Sequence, residues 1–124
     1  MLLSREALAW AAGFVDGEGN FRMNEYKYIR RKQHYGGCHF SVAQIDRQVL
    51  DRLQKALGGL GKVYGPYHPK SKKNRQQPYY VFASAAFEQF QAIVAMLWNF
   101  LSPVKRAQAK HALLTFHKLN KRKK

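Results

Sequence analysis

The chain has 124 residues, 22 of them lysine or arginine and only 7 aspartate or glutamate, for a formal net charge of +15 at pH 7. That length can bury one hydrophobic core but not two, and a hydrophobic fraction of 46% with 14% aromatics excludes a disordered chain. So large a positive excess needs a polyanion to offset its self-repulsion, and nucleic acid is the commonest one.

In chain order, Ser4 is placed to cap a first helix that runs through Val15 and stops at Gly17 and Gly19. "NFRMNEYKYI" then alternates as a strand, with Phe21 and Met23 on one face and Asn20, Arg22, Asn24, Tyr26 and Tyr28 on the other. "RRKQHYGG" reads as a basic turn, and "CHFSVAQ" as a returning strand with Cys38, Phe40 and Val42 inward. Asp46 suits an N-cap. Val49, Leu50, Leu53 and Leu57 keep helical spacing as far as Gly58-Gly59. "KVYGPY" and "YYVFAS" predict a second hairpin around "HPKSKKNRQQ". Ser84 is expected to cap a helix ending near Phe100, and Ser102-Pro103 to open the last one, since proline suits a first helical position. The order α-β-β-α-β-β-α-α predicts an α+β fold, a mostly antiparallel sheet with helices on one face. Residues 1–119 form one domain and 120–124 a basic tail.

Cys38 is the lone cysteine, which excludes an internal disulfide and a thiolate metal cluster. The charged N-terminus "MLLSREALAW" lacks the apolar core of a signal peptide. The run "AIVAMLWNFL" is half the length of a membrane span. A soluble intracellular protein is expected, with no membrane and no small-molecule partner. His34, His39, His68, His111 and His117 show no pairing suited to zinc.

The first helix poses the main question. Ala7–Val15 is apolar throughout and leads straight into Asp16 and Glu18. On a helical wheel Leu8, Ala11, Ala12 and Val15 share one side, Trp10 and Phe14 another, and Ala9, Gly13 and Asp16 fill the seam between them. Ala9 and Gly13 are four residues apart, a spacing that lets two backbones approach closely. A second copy of the same helix across a twofold axis is therefore expected, with Ala9, Ala12, Gly13 and Asp16 at the contact; packing on the chain's own C-terminal helices is the alternative. A helix C-terminus is already negative, so acids there are unfavourable unless a basic group or a divalent ion offsets them. Asp16 is expected to accept hydrogen bonds from backbone amides. Glu18 is expected to hold a hard cation, which takes one or two carboxylates together with phosphate and water.

"AAGFVDGEG", Ala11–Gly19, continued by "NF", resembles the signature of the LAGLIDADG homing endonucleases, and the order of elements matches theirs through about Phe116. The signature occurs once, as in the family members that act as homodimers. The resemblance implies that Glu18 is the metal ligand and Asp16 structural. It implies that Gln44, closing the second strand, belongs to the catalytic pocket, with Arg47 the nearest basic residue after it. It also implies that Lys105, early in the last helix, sits near the attacking water. Many relatives carry aspartate where this chain has Glu18, which lengthens the reach and keeps the charge.

Two divalent ions, magnesium or a substitute such as manganese, would neutralise the phosphate, activate water and stabilise the leaving alkoxide. Gln44 would orient a water and Lys105 add positive charge. Asn20, Arg22, Asn24, Tyr26 and Tyr28, with His39 and Ser41 beside them, suit the major groove of double-stranded DNA. Arg30, Arg31, Lys32, Lys70, Lys72, Lys73 and Arg75 in the hairpin turns, with Lys27 and the tail, suit phosphates. The expected activity is cleavage of both strands of a long, nearly palindromic target. A non-cleaving DNA-binding protein or RNA maturase of the same fold remains the alternative. A small ribosome-associated protein explains the charge but not the acids.

Overall fold

The computed structural model describes residues 3–28, 33–69, 77–84 and 86–121. Helix α1, Arg5–Glu18, starts where the Ser4 hydroxyl accepts the Ala7 amide at 3.2 Å. It leads into strand β1, Gly19–Tyr28, and β2, Gln33–Gln44. Helix α2, Arg47–Ala56, is capped by Asp46, whose carboxylate accepts the Gln48 amide at 2.9 Å. Strands β3, Lys62–Tyr67, and β4, Tyr79–Ala83, form the second hairpin. Helix α3, Phe87–Leu97, a 3-10 turn at Trp98–Phe100, and α4, Pro103–Lys121, complete the fold.

The four strands form one antiparallel sheet in the order β1-β2-β4-β3. Alternation along β1 and β2 sends Phe21, Cys38, Phe40 and Val42 inward, where they meet Phe82, Leu50, Leu53, Phe90 and Ile93 in one core. Phe21 stands edge-on to Phe90 at 5.7 Å and tilted against Phe40 at 4.8 Å. Such pairs add about 0.5–1.5 kcal/mol each beyond area burial. Helix α4 crosses β1 and β2 on this covered face, leaving the opposite face of the sheet open.

Two expectations need correction. Helix α1 does not stop at Gly17; Asp16, Gly17 and Glu18 form its last turn, and Gly19 is the cap, with extended φ and ψ. Glycine is required at 19 by crowding, because an added Cβ would lie 2.8 Å from Val15 Cγ1 and 3.2 Å from Phe40 Cε1. Nor does Ser84 cap α3, whose N-cap is Ala86 with no side-chain bond. Ser84 is buried, its hydroxyl accepting the Phe40 amide at 3.1 Å and its own amide donating to the Phe40 carbonyl at 3.0 Å. A serine just before a helical pattern looks like a cap in sequence; here it extends the sheet instead.

Candidate active site and nucleic-acid interface

The end of α1 meets the start of α4. Asp16 is half-buried, and its two carboxylate oxygens accept the Ser102 amide at 3.0 and 3.2 Å. Ser102 is the residue before α4, so the negative end of one helix and its acid face the positive end of another. Pro103 suits that junction because its missing N–H is not needed at a first helical position. The Ser102 hydroxyl accepts the Lys105 amide at 3.3 Å and closes the first turn. Lys105 then reaches back, its ammonium donating to the Gly19 carbonyl at 2.6 Å and to Gln108 Oε1 at 3.4 Å. The cation missing from the last turn of α1 is thus supplied from α4.

Glu18 is exposed, and among the described residues no side chain or amide bonds to its carboxylate. Lys105 is therefore brought to the residue immediately after Glu18. Register brings Gln44 to the same end of the sheet. Gly19 pairs with Val42, and Gln44 lies two residues further along β2, opposite Tyr80. Arg47 opens α2; its guanidinium lies 5.6 Å from the Tyr80 ring centre and 3.6 Å from the Asp51 carboxylate. Gln108, the acceptor for Lys105, escaped the sequence reading, although its position three residues on, one helical turn away, was a usable signal.

Among the described residues no three of His, Cys, Asp and Glu gather as a metal-binding set. The donors at the end of α1 are carboxylate oxygens, which fit magnesium or manganese rather than zinc. The thiol of Cys38 is inert: burial pushes its pKa up to about 11 and its Sγ lies 3.5 Å from the Ala112 carbonyl.

The open face of the sheet carries Asn20 and Arg22, both exposed, with Asn24, His39 and Ser41 half-buried beside them. Arg22 pairs across the strands with His39, and its Nη1 donates to the Ser41 hydroxyl at 3.4 Å. Tyr26 and Tyr28 continue β1 opposite Tyr35 and Gln33. The turn residues Arg30, Arg31, Lys32, Lys70, Lys72, Lys73 and Arg75 lie outside the described residues. The sequence reading missed the contribution of the second hairpin to this face. Lys62 pairs with Ala83, which pairs with Ser41, and Tyr64 pairs with Val81, so both share the face of Arg22. Alternation around inward Val63 was the signal available.

Along α1, Ala9, Gly13 and Gly17 are exposed at four-residue intervals, and a Cβ added at either glycine would touch nothing within 4 Å. Ala12 does not belong to that seam. It is fully buried in the chain's own core, a quarter-turn away on the helix. Trp10 and Phe14 stack at 5.6 Å beside it, with the Arg52 guanidinium 3.8 Å from the Trp10 ring centre. Among the described residues, no helix is long and apolar enough to cross a membrane.

The family model for LAGLIDADG endonucleases matches residues 11–112. The homing endonuclease I-CvuI, solved in complex with its target in the presence of calcium, is 28% identical with a TM-score of 0.69; the match covers 94% of this chain and 69% of that one. The same enzyme solved on the I-CreI target with magnesium, its DNA not cleaved, gives a TM-score of 0.70 at the same identity and coverage. The group I intron-encoded homing endonuclease I-CeuI, complexed with DNA, shares the fold at a TM-score of 0.72 and 15% identity, over 98% of this chain and 58% of that one. No curated protein sequence gives a match.

Proposed function

The chain belongs to the LAGLIDADG endonuclease family, a family of site-specific DNA endonucleases, and from that premise we propose that it cuts both strands of a long, nearly palindromic duplex as a homodimer, with a divalent cation held at each Glu18. One observation carries this reading: the chain satisfies Asp16 with the Ser102 amide and the end of α1 with Lys105, yet among the described residues the exposed Glu18 has no partner. An unpaired acid at the negative end of a helix is a place for a cation from outside. Magnesium or manganese bound there, its shell completed by phosphate and water, would neutralise phosphate charge and acidify water.

The protein's own groups would do the rest. Lys105, fixed by the Gly19 carbonyl and Gln108, holds a positive charge one residue from Glu18 and steadies the phosphate. Gln44, neutral and able both to donate and to accept, orients the attacking water. Arg47 adds positive charge at the start of α2, beyond the end of β2. The exposed seam of Ala9, Gly13 and Gly17 accepts the same helix of a second copy, which brings two Glu18 residues to one axis and lets each serve one strand. The open sheet face and the basic turns hold the duplex inside the cell.

The decisive measurement uses DNA that carries the gene's own insertion site. Magnesium or manganese should support double-strand cutting and a chelator should stop it. Glu18→Gln keeps the shape and removes the charge; it should lower cutting by more than the roughly 10–100-fold typical of losing a residue that merely supports a ligand. Binding should persist. Cutting by the Gln variant at the wild-type rate would place the metal elsewhere.

A further inference from the structure

The pair Arg22 and His39, directly opposed across β1 and β2, parts in opposite directions along the strands. Arg22 leans toward Ser41, the residue paired with Asn20 and so two positions closer to Glu18. His39 leans the other way: a Cβ placed on Gly37 would come within 3.3 Å of its Nε2. Gly37 is thus the space into which the imidazole lies. On the Ser41 side of Arg22 the open face is low, because Ser41 and, beyond it, Ala83 and Ala43 are all short.

We propose that Ser41 positions Arg22 to read a guanine close to the cut, about two to four base pairs from the scissile phosphate, while His39, given room by Gly37, addresses the next base pairs outward. The interval follows from two spacings. Asn20 and Arg22 lie two and four residues beyond Glu18 at roughly 3.3 Å each, and the base step is about 3.4 Å. The base follows from chemistry. A guanidinium has five N–H groups in a fixed fork, the Ser41 contact takes one, and two more suffice for guanine O6 and N7. A base edge can descend to the guanidinium because the short side chains leave the floor open. Burial and the charge of Arg22 both lower the His39 pKa, so a neutral ring with one N–H donor and one acceptor nitrogen stands beside the all-donor fork. The proposal rests on reading the open sheet face as the DNA-binding face.

The test selects bound and cut sites from duplexes randomised over about 24 base pairs, the span of two such sheets. Wild-type protein should recover a guanine in the stated window on each half-site. Arg22→Lys, which keeps the charge but not the fork, and Ser41→Ala, which removes the tether, should each weaken that preference about tenfold or more, with outer positions unchanged. Gly37→Ala, which crowds His39, should relax the positions outside the window and leave the guanine. Selected and cut sites with no guanine in the window, or an Arg22→Lys variant that loses affinity equally on every sequence, would overturn the proposal and make Arg22 a phosphate contact. Recovery of no preferred sequence at all would overturn it together with the endonuclease reading, which separates the two failures.

Discussion

Asp16 and Glu18 carry the same charge two residues apart, and the fold treats them differently. Asp16 is half-buried on the Ser102 amide, a charge-assisted bond at the positive end of α4. Asp16→Asn should cost about 1–3 kcal/mol, read as a lower midpoint in urea. Among the described residues Glu18 has no such partner, so Glu18→Gln should raise stability by about 0.3–1 kcal/mol, because a charge is removed from the negative end of a helix. An acid that weakens the free protein and is kept for the reaction is the pattern of a functional site; equal losses for both variants would contradict it. His39 gives a second measurement. Its pKa is pushed down from 6.5, first by burial and then by Arg22. The unfolded chain therefore binds the proton first, and stability is intact above about pH 6.5 and declines as pH falls toward the folded value. In an NMR titration Arg22→Gln should move the His39 midpoint part of the way back up, since burial remains. No movement would deny that the two side chains sense each other.

Helix α1 shows how much could be read from sequence and what could not. Its apolar length, its Ser4 cap and the alternation of Phe21, Phe40 and Val42 were legible because each follows a local period. The run of α1 through Gly17 was not: glycine is a stop signal by propensity, and tertiary contacts at Asp16 and Gly19 override it. Ser84 was misread for the same reason, its partner Phe40 being 44 residues away. The meeting of Lys105 with Gly19 spans 86 residues, and only the resemblance pointed to it. The glycines of α1 also separate by function. Gly19→Ala would clash with Val15 and Phe40 and should destabilise by about 1–3 kcal/mol. Gly13→Ala meets nothing and should stabilise the isolated chain by up to about 1 kcal/mol through helix propensity. A glycine retained where the monomer does not need it points to a close neighbour. Gly13→Leu should accordingly give monomers by light scattering without loss of fold; an unchanged mass would remove the α1 seam as the interface.

Strand β2, with its 12 residues, runs the length of the sheet. At roughly 3.3 Å per residue it extends about 40 Å, or about 12 base pairs. A sheet of that reach, carried by a chain with 22 basic and 7 acidic residues, should make phosphate contacts all along its length. If a subunit neutralises three to five phosphates, a dimer covers roughly six to ten, and affinity should fall about 10³–10⁵-fold between 50 and 200 mM salt. The slope of that fall counts contacts, and therefore subunits. Measured on a fixed duplex with the Glu18→Gln background to prevent cutting, the slope for the dimer should be about twice that of Gly13→Leu, because each phosphate adds about 0.9 to it. Base-reading variants such as Ser41→Ala should leave the slope in place while changing which sequence is preferred, since charge is untouched. A Gly13→Leu protein with the full slope would mean that one subunit already makes every phosphate contact. In that case two copies of the Glu18 site would not be brought to opposite strands by the sheet and seam described above.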